Sequence, residues 1–463
     1  MIFRREKNVP VTITAMVLGF LFCPSPPVQA RSFEEKKSQS DTRKDNEAGV
    51  IHLSFSQTLE LARKRHVNMV LADERIVRAL AVLGENRSAL FPHLSATAQQ
   101  ASQTRDLSSV GISVPGQGTL VGPFNSFDVR LNITQTLFDA SLCQRLKAAQ
   151  ENAQLSTAEY QKTEQDVLAL IANFFVQARR AEQTFQLSQT FLERDQKHLK
   201  LAYSRFESGT GSFLETKQAN AQYAQSLYRQ ELAKTQSLQK RLDLASALGM
   251  ALDQPMVFEP LNDSELNFLK TFEDSPGEML DFPDVEVAEK ELQKKKSERS
   301  LERAEYFPKI SALADYGPSG IDPNHFSETY TLGVQASVPI FEGGLRRARL
   351  KEADSQVKAG QANLEDVKIH AQAKILDDLQ TISQVKRLLE EKDAQKAVTD
   401  HQLQLAQERL VAGTGSDLEV TDSLARVVLS DDEKDESMAA YVMAQIQLAH
   451  DLGRMDQFLL EKN

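Results

Sequence analysis

The sequence predicts a mainly α-helical chain that carries pairs of membrane-length β-strands and runs twice through the same order of elements. Three observations predict it. Apolar and polar residues alternate over about ten residues in two places, the period of a strand with one apolar face. Apolar residues then recur at steps of four and three over a much longer run, the seam of packed helices. A set of short motifs recurs in one order at near-constant spacing.

The chain has 463 residues and a formal net charge of −11. Arg4, Arg5 and Lys7 precede an apolar run from Val11 to Cys23, and Val28-Gln29-Ala30 offers small residues for cleavage. That run is shorter than the ~20 residues a membrane helix needs, so residues 1–30 read as a signal peptide cut after Ala30. Phe20 and Phe22 make a poor lipoprotein box around Cys23. Cleavage removes a net +2 and leaves about −13, with Cys143 as the one remaining cysteine. Without a disulfide, an exported chain must draw its stability from packing or oligomerisation. Residues 31–50 are charged and polar and read as a flexible leader.

Two units follow, 51–250 and 283–455, joined by a Pro-rich, acidic linker at 251–282 and followed by a tail at 456–463. Each opens with a helix, about 56–90 and 285–306, stopped at Phe91-Pro92 and Phe307-Pro308. Strand pairs come next, about 94–138 and 310–341. Phe127, Val129, Leu131 and Ile133 share one strand face; Asp128, Arg130, Asn132 and Thr134 share the other. Tyr330, Leu332, Val334, Ala336 and Val338 alternate with Thr331, Gly333, Gln335 and Ser337 in the same way. A soluble half-buried sheet would alternate equally well; the length suits a tilted membrane strand of ~9–11 residues. Gly/Pro/Ser-rich stretches at 105–123 and 317–327 read as the loops within each pair.

The long helical run carries Leu142, Leu146, Ala149, Ala153, Val167, Ile171, Phe174 and Ala178 on one stripe, with Leu168, Phe175, Leu187 and Phe191 on a second. Two stripes imply neighbours on two sides. About 68 residues at ~1.5 Å each give roughly 100 Å, far more than a single globular core requires. The run stops at Gly209-Thr210-Gly211 and restarts at Ser212-x-x-Glu215, a capping-box spacing. Gly413-Thr414-Gly415 and Ser416-x-x-Glu419 repeat this. Each unit therefore closes with a helical hairpin.

Taken together, these features resemble the outer membrane efflux protein family, the TolC-like exit ducts. The carriers are the tandem units, the Phe-Pro before each strand pair, Phe341-Glu342-Gly343-Gly344 before the second long helix, and the paired Arg-x-x-x-Gly turns at Arg205 and Arg409. The resemblance implies a homotrimer in the outer membrane. Four strands per protomer would form one twelve-stranded barrel, continued by the helices as a periplasmic tunnel. An inner-membrane pump of RND or ABC type and a periplasmic adaptor would dock at the hairpin tips, Gly209, Thr210, Gly211, Gly413, Thr414 and Gly415. The family narrows its entrance with acids after the second tip. Glu419 and Asp422 match those positions, and Glu215 is the corresponding acid of the first unit. Some members latch the entrance with a Tyr before the turn and an Arg within it; here Leu410 and Gly415 stand there.

Competing chemistry is sparse. An acidic chain is a poor partner for nucleic acid. There is no His-Glu-x-x-His or Cys-x-x-Cys motif, the eight His are scattered, and no cofactor or metal is expected. Ser237-x-x-Lys240 matches a catalytic spacing but sits mid-helix. The alternative to a passive exit duct is an exported trimeric coiled-coil structural or adaptor protein without a pore. It would not need the strand pairs.

Overall fold

The computed structural model describes residues 51–106, 111, 119–252, 254–260 and 282–456. The expected signal peptide and leader, the lipidation question at Cys23, most of the linker and nearly all of the tail lie outside the described residues. The elements are β1 (Ile51–Leu53), α1 (Phe55–Arg65), α2 (Val67–Ser88), β2 (His93–Asp106), β3 (Leu120–Asp139), α3 (Ala140–Glu207), α4 (Phe213–Ala247), β4 (Met256–Phe258), α5 (Pro283–Ala304), β5 (Lys309–Asp322), β6 (His325–Ser337), α6 (Leu345–Val411) and α7 (Asp417–Asp451). The succession helix, strand, strand, long helix, helix occurs twice. Among the described residues no helix is long and apolar enough to cross a membrane.

The four long strands form one antiparallel sheet in the order β2-β3-β5-β6. Leu131 pairs with Tyr316 and Tyr316 with Tyr330, which assembles one face; Asn132, Asp315 and Thr331 lie in register on the other. The apolar face stays bare, with Leu332 79% exposed and Tyr330, Val334, Leu131 and Ile133 also exposed. On the polar face Arg130 crosses three strands. Its Nε donates to Asp128 at 2.9 Å, and its guanidinium also reaches Asp315 and, at 3.2 Å, Thr329. One chain thus makes an open four-stranded sheet, with β2 and β6 each offering an unpaired edge.

All four strands join helices at the same end of the sheet: α2 before β2, α3 after β3, α5 before β5 and α6 after β6. Those helices pack α2 on α3, α3 on α5 and α5 on α6, in the order of the strands. Towards the other end of the long helices, α4 packs on α3, α7 on α6, and α3 on α7.

The core sits midway along α3. Leu168, Ile171, Ala172 and Phe175 meet Leu244 and Leu248 at the end of α4 and Val442, Ile446 and Leu448 of α7, all fully or nearly fully buried. Phe55 and Phe258 stand edge-on to Phe175, at 5.6 and 5.8 Å. They are brought there by β1 and β4, which pair in parallel. Burial of such side chains contributes about 1.5–3 kcal/mol each.

Several boundaries differ from those expected. The first helix breaks at His66, whose backbone is extended (ψ 131°) and whose Nδ1 accepts from Asn68 N at 3.2 Å, starting α2 afresh. The 317–327 stretch is strand through Asp322, and β6 resumes at His325. Its glycines serve close approach rather than a turn: a Cβ on Gly317 would lie 1.9 Å from Val129 O. In the same way β3 begins at Leu120, inside the expected 105–123 loop, most of whose middle lies outside the described residues. β6 ends at Ser337, before Pro339, which has no N–H to donate. The linker is not all connection, because β4 falls within it.

Candidate channel entrance at the hairpin tips

Each tip is built by the same hydrogen bonds. At the first, Gly209 takes φ +76°, and the N–H groups of Thr210 and Gly211 both donate to Arg205 O at 2.9 and 2.8 Å. At the second, Gly413 takes φ +71°, and Thr414 and Gly415 donate to Arg409 O, both at 2.9 Å. A left-handed residue at this point lets the orphan carbonyls of the helix end find donors. Thr210 and Thr414 add their hydroxyls to the same carbonyls at 3.2 and 3.3 Å.

The expected capping boxes form by half. Ser212 Oγ accepts from Leu214 N and Ser416 Oγ from Glu419 N, both at 3.2 Å. The Glu side chains turn instead to arginine, Glu215 to Arg205 at 3.8 Å and Glu419 to Arg409 at 3.1 Å. These exposed pairs straddle each turn and are worth little in stability. Asp422, one turn beyond Glu419, is exposed and makes no ion pair among the described residues. No hydrogen bond or ion pair joins the first tip to the second among the described residues. The tips differ in packing: the Phe206 and Phe213 rings meet at 6.0 Å, tilted by 53°, with Lys217 over the Phe213 ring, whereas Leu410 replaces Phe206 at the second tip.

A second ionic constellation, with no counterpart among the sequence motifs, lies at the far end of α7. His450 places Nε2 2.7 Å from Asp166 of α3 and Nδ1 2.7 Å from Asp451. Burial disfavours the charged imidazole, but the two carboxylates outweigh it and push His450 up to about 9. Asp378 of α6 is pushed up to about 7 by burial and by the Asp451 carboxylate beside it. Asp284, at the start of α5, holds Lys162 at 2.5 Å and Lys374 at 3.5 Å. Lys162, Asp166, Asp284, Lys374, His450 and Asp451 line a cavity of about 220 Å³. The groups come from four helices, and the bonded Asp166 and His450 are 284 residues apart, so no local motif could announce them. Ser237 and Lys240 prove to be cross-helix ties, to Glu182 at 2.7 Å and Gln177 at 2.9 Å. Among the described residues no group of three or more His, Cys, Asp or Glu could hold a metal ion.

An open sheet with a bare apolar face, each strand joined to a helix and two of those helices running on to paired glycine turns, is the arrangement of outer membrane channel proteins. The family model for outer membrane efflux proteins matches residues 58–250 and 281–454, and the chain belongs to that family. It is a protein of the outer membrane. It is 26% identical over 415 residues, 85% of this chain and 84% of the relative, to the solvent efflux pump outer membrane protein SrpC of Pseudomonas putida. It is 23% identical over 296 residues, 60% of this chain and 59% of the relative, to the alkaline protease secretion protein AprF of Pseudomonas aeruginosa. Among solved structures, the CmeC outer membrane channel of Campylobacter jejuni aligns with a TM-score of 0.72 at 16% identity, covering 86% of this chain and 85% of that one. The outer membrane protein VceC of Vibrio cholerae aligns with a TM-score of 0.69 at 16% identity, covering 86% and 96%. The family and the fold are those of channels rather than enzymes.

Proposed function

We propose that three copies of this chain close their sheets into one twelve-stranded barrel and continue it as a helical duct. A pump in the inner membrane and a periplasmic adaptor would discharge solutes through it to the exterior. One observation carries this reading: the helices α2, α3, α5 and α6 lie side by side in the order of the strands they join. Closing the sheet then closes the helices with it. The free edges of β2 and β6 require such closure in lipid, where an unpaired N–H or C=O has no water to turn to. A bare apolar face with a polar opposite face is the lining a water-filled barrel needs. The pore-free coiled-coil reading has no use for that sheet.

The likeness to a solvent efflux component over 85% of the chain, against 60% to a secretion component, favours small-molecule efflux as the system served. The six tip residues, Gly209 to Gly211 and Gly413 to Gly415, would receive the adaptor. Glu419, Asp422 and Glu215 would ring the entrance, with Arg409 and Arg205 tempering the two glutamates in each copy. Three unpaired Asp422 side chains facing one axis would favour cations. Single-particle imaging of detergent-extracted protein should show a threefold hollow tube; a monomer or a solid rod overturns the reading. In planar bilayers, Asp422→Asn should lower the cation preference of the pore, and unchanged selectivity would remove Asp422 from the entrance.

A further inference from the structure

Where the helices meet the sheet, the chain reverses its overall charge. The eight helical residues nearest the sheet in α2, α3, α5 and α6 (81–88, 140–147, 297–304 and 345–352) hold nine Arg or Lys against four Glu. The whole chain carries −11. Some of these cations are spoken for: Arg145 by Glu305 at 3.6 Å, Arg299 by Asp354 at 2.5 Å and Arg346 by Glu342 at 2.8 Å. Arg87, Lys147, Arg303, Arg347, Arg349 and Lys351 are exposed and make no ion pair among the described residues. Every one of the four helices contributes at least one of them. The acids at this level are Glu85, Glu298, Glu302 and Glu352, and the connections add Asp139, Glu305 and Glu342. Of the latter, Asp139 caps α3, while Glu305 pairs with Lys309 at 2.8 Å and Glu342 with Arg346.

Arg87 and Arg303 stand in the last turns of α2 and α5, where a cation suits the helix dipole, but the arginines of α6 have no such reason. Arg346, Arg347 and Arg349 crowd the start of α6, which has no acid in its first turn and no capping side chain at Gly344. Cations there oppose the helix dipole. Between the collar and the apolar sheet face stand Phe91, Phe138, Tyr306, Phe307 and Phe341, all exposed. Apolar band, aromatic girdle and cations thus follow one another down the molecule. That is the order of hydrocarbon, interface and headgroup in a bilayer.

We propose that this basic collar binds the headgroups of anionic phospholipid in the leaflet on the helix side of the membrane, fixing the depth of the sheet. The proposal rests on the membrane reading of the sheet. Its occupant is chosen by charge: phosphatidylglycerol presents a net anion at the level of the guanidinium groups, and phosphatidylcholine does not. Cations at a membrane surface favour anionic lipid individually and together, so the preference should exceed about tenfold and fall with salt.

The test uses the full-length protein in detergent, titrated with phosphatidylglycerol or phosphatidylcholine and read by native mass spectrometry. Flotation with phosphatidylcholine vesicles reports insertion separately. The protein should retain phosphatidylglycerol preferentially. The quadruple variant Arg87→Gln, Arg303→Gln, Arg347→Gln, Arg349→Gln should float as well as the parent but lose the preference. A control with Lys197→Gln, Lys200→Gln, Lys217→Gln and Lys234→Gln, distant from the sheet, should keep it. Equal retention of the two lipids, a preference that survives the collar variant, or one that also vanishes in the control overturns the collar while leaving the membrane reading intact. Failure of the parent to float overturns both.

Discussion

The two long helices α3 and α6 are nearly equal, 68 and 67 residues, yet they lead different lives. α3 is the spine of the protomer, burying Leu142, Leu155, Val167, Leu168, Ile171, Phe175 and Val176 among others. α6 buries only Ala353, Val357, Gly360, Ile375, Ile382 and Ala406, and leaves Leu376 69% exposed alongside Ile369, Leu388, Val398 and Leu405. The two helices share length and place in the order of elements but not burial. A helix of this length with so narrow a buried stripe does not account for its own apolar residues within one chain. In the proposed trimer, α6 is where the neighbouring copy lies.

The largest effect is expected in α3, which holds the core. Phe175→Ala should cost about 3–5 kcal/mol, seen as a large fall in the unfolding midpoint of the protomer. The matched change on α6, Leu376→Glu with Ile369→Glu, should leave secondary structure intact by circular dichroism but abolish the trimer in light scattering. A trimer that persists would place the interface elsewhere.

A smaller effect should come from His450, which ties α7 to α3. Its affinity for protons is raised in the folded state, so its contribution is complete below about pH 6.5 and lost as pH rises through about 9. At most about 3 kcal/mol is at stake. His450→Gln should flatten the decline of the unfolding midpoint between pH 7 and pH 10. A decline identical to the parent's would assign it to other groups.

Gly413→Val and Gly209→Val should cost about 1–2 kcal/mol each, because valine resists the left-handed backbone. Both should reduce crosslinking to the adaptor. The smallest change in stability, under about 1 kcal/mol, is expected for Arg409→Ala. Freeing Glu419 should nonetheless raise the cation preference of the pore, measured as reversal potential.

Much of this architecture was legible because it is periodic. The 4-3 spacing from Leu142 to Ala178, with no stop before Gly209, announces a helix of α3's length, and the alternation at Phe127 and Tyr330 announces strands. The turns are legible because glycine takes the left-handed backbone of Gly209 and Gly413 without strain. What escaped was non-local. Gly317, Pro318 and Gly320 look like a turn, but neighbouring backbone approaches them within a strand. The β1–β4 pair joins residues about two hundred apart that carry no pattern of their own. At the second tip, the spacing Ser416-x-x-Glu419 suggests capping, and only the fold shows Arg409 close enough to take the carboxylate. The Asp166–His450–Asp451 link was beyond any reading of adjacent residues.

Beside the sheet the chain lays four helices abreast, α2, α3, α5 and α6; past the core it again lays four, with α4 and α7 taking the places of α2 and α5. α2 and α5 have 22 residues each and α4 and α7 have 35, so each pair of short helices nearly fills the span of one long one. The wall therefore has the same number of staves along its length, like a cask. If three copies close it, its girth is set by a constant twelve. Any taper must then come from the tilt and coiling of staves, not from losing one, so the bore can be narrowed or widened without unpacking the wall.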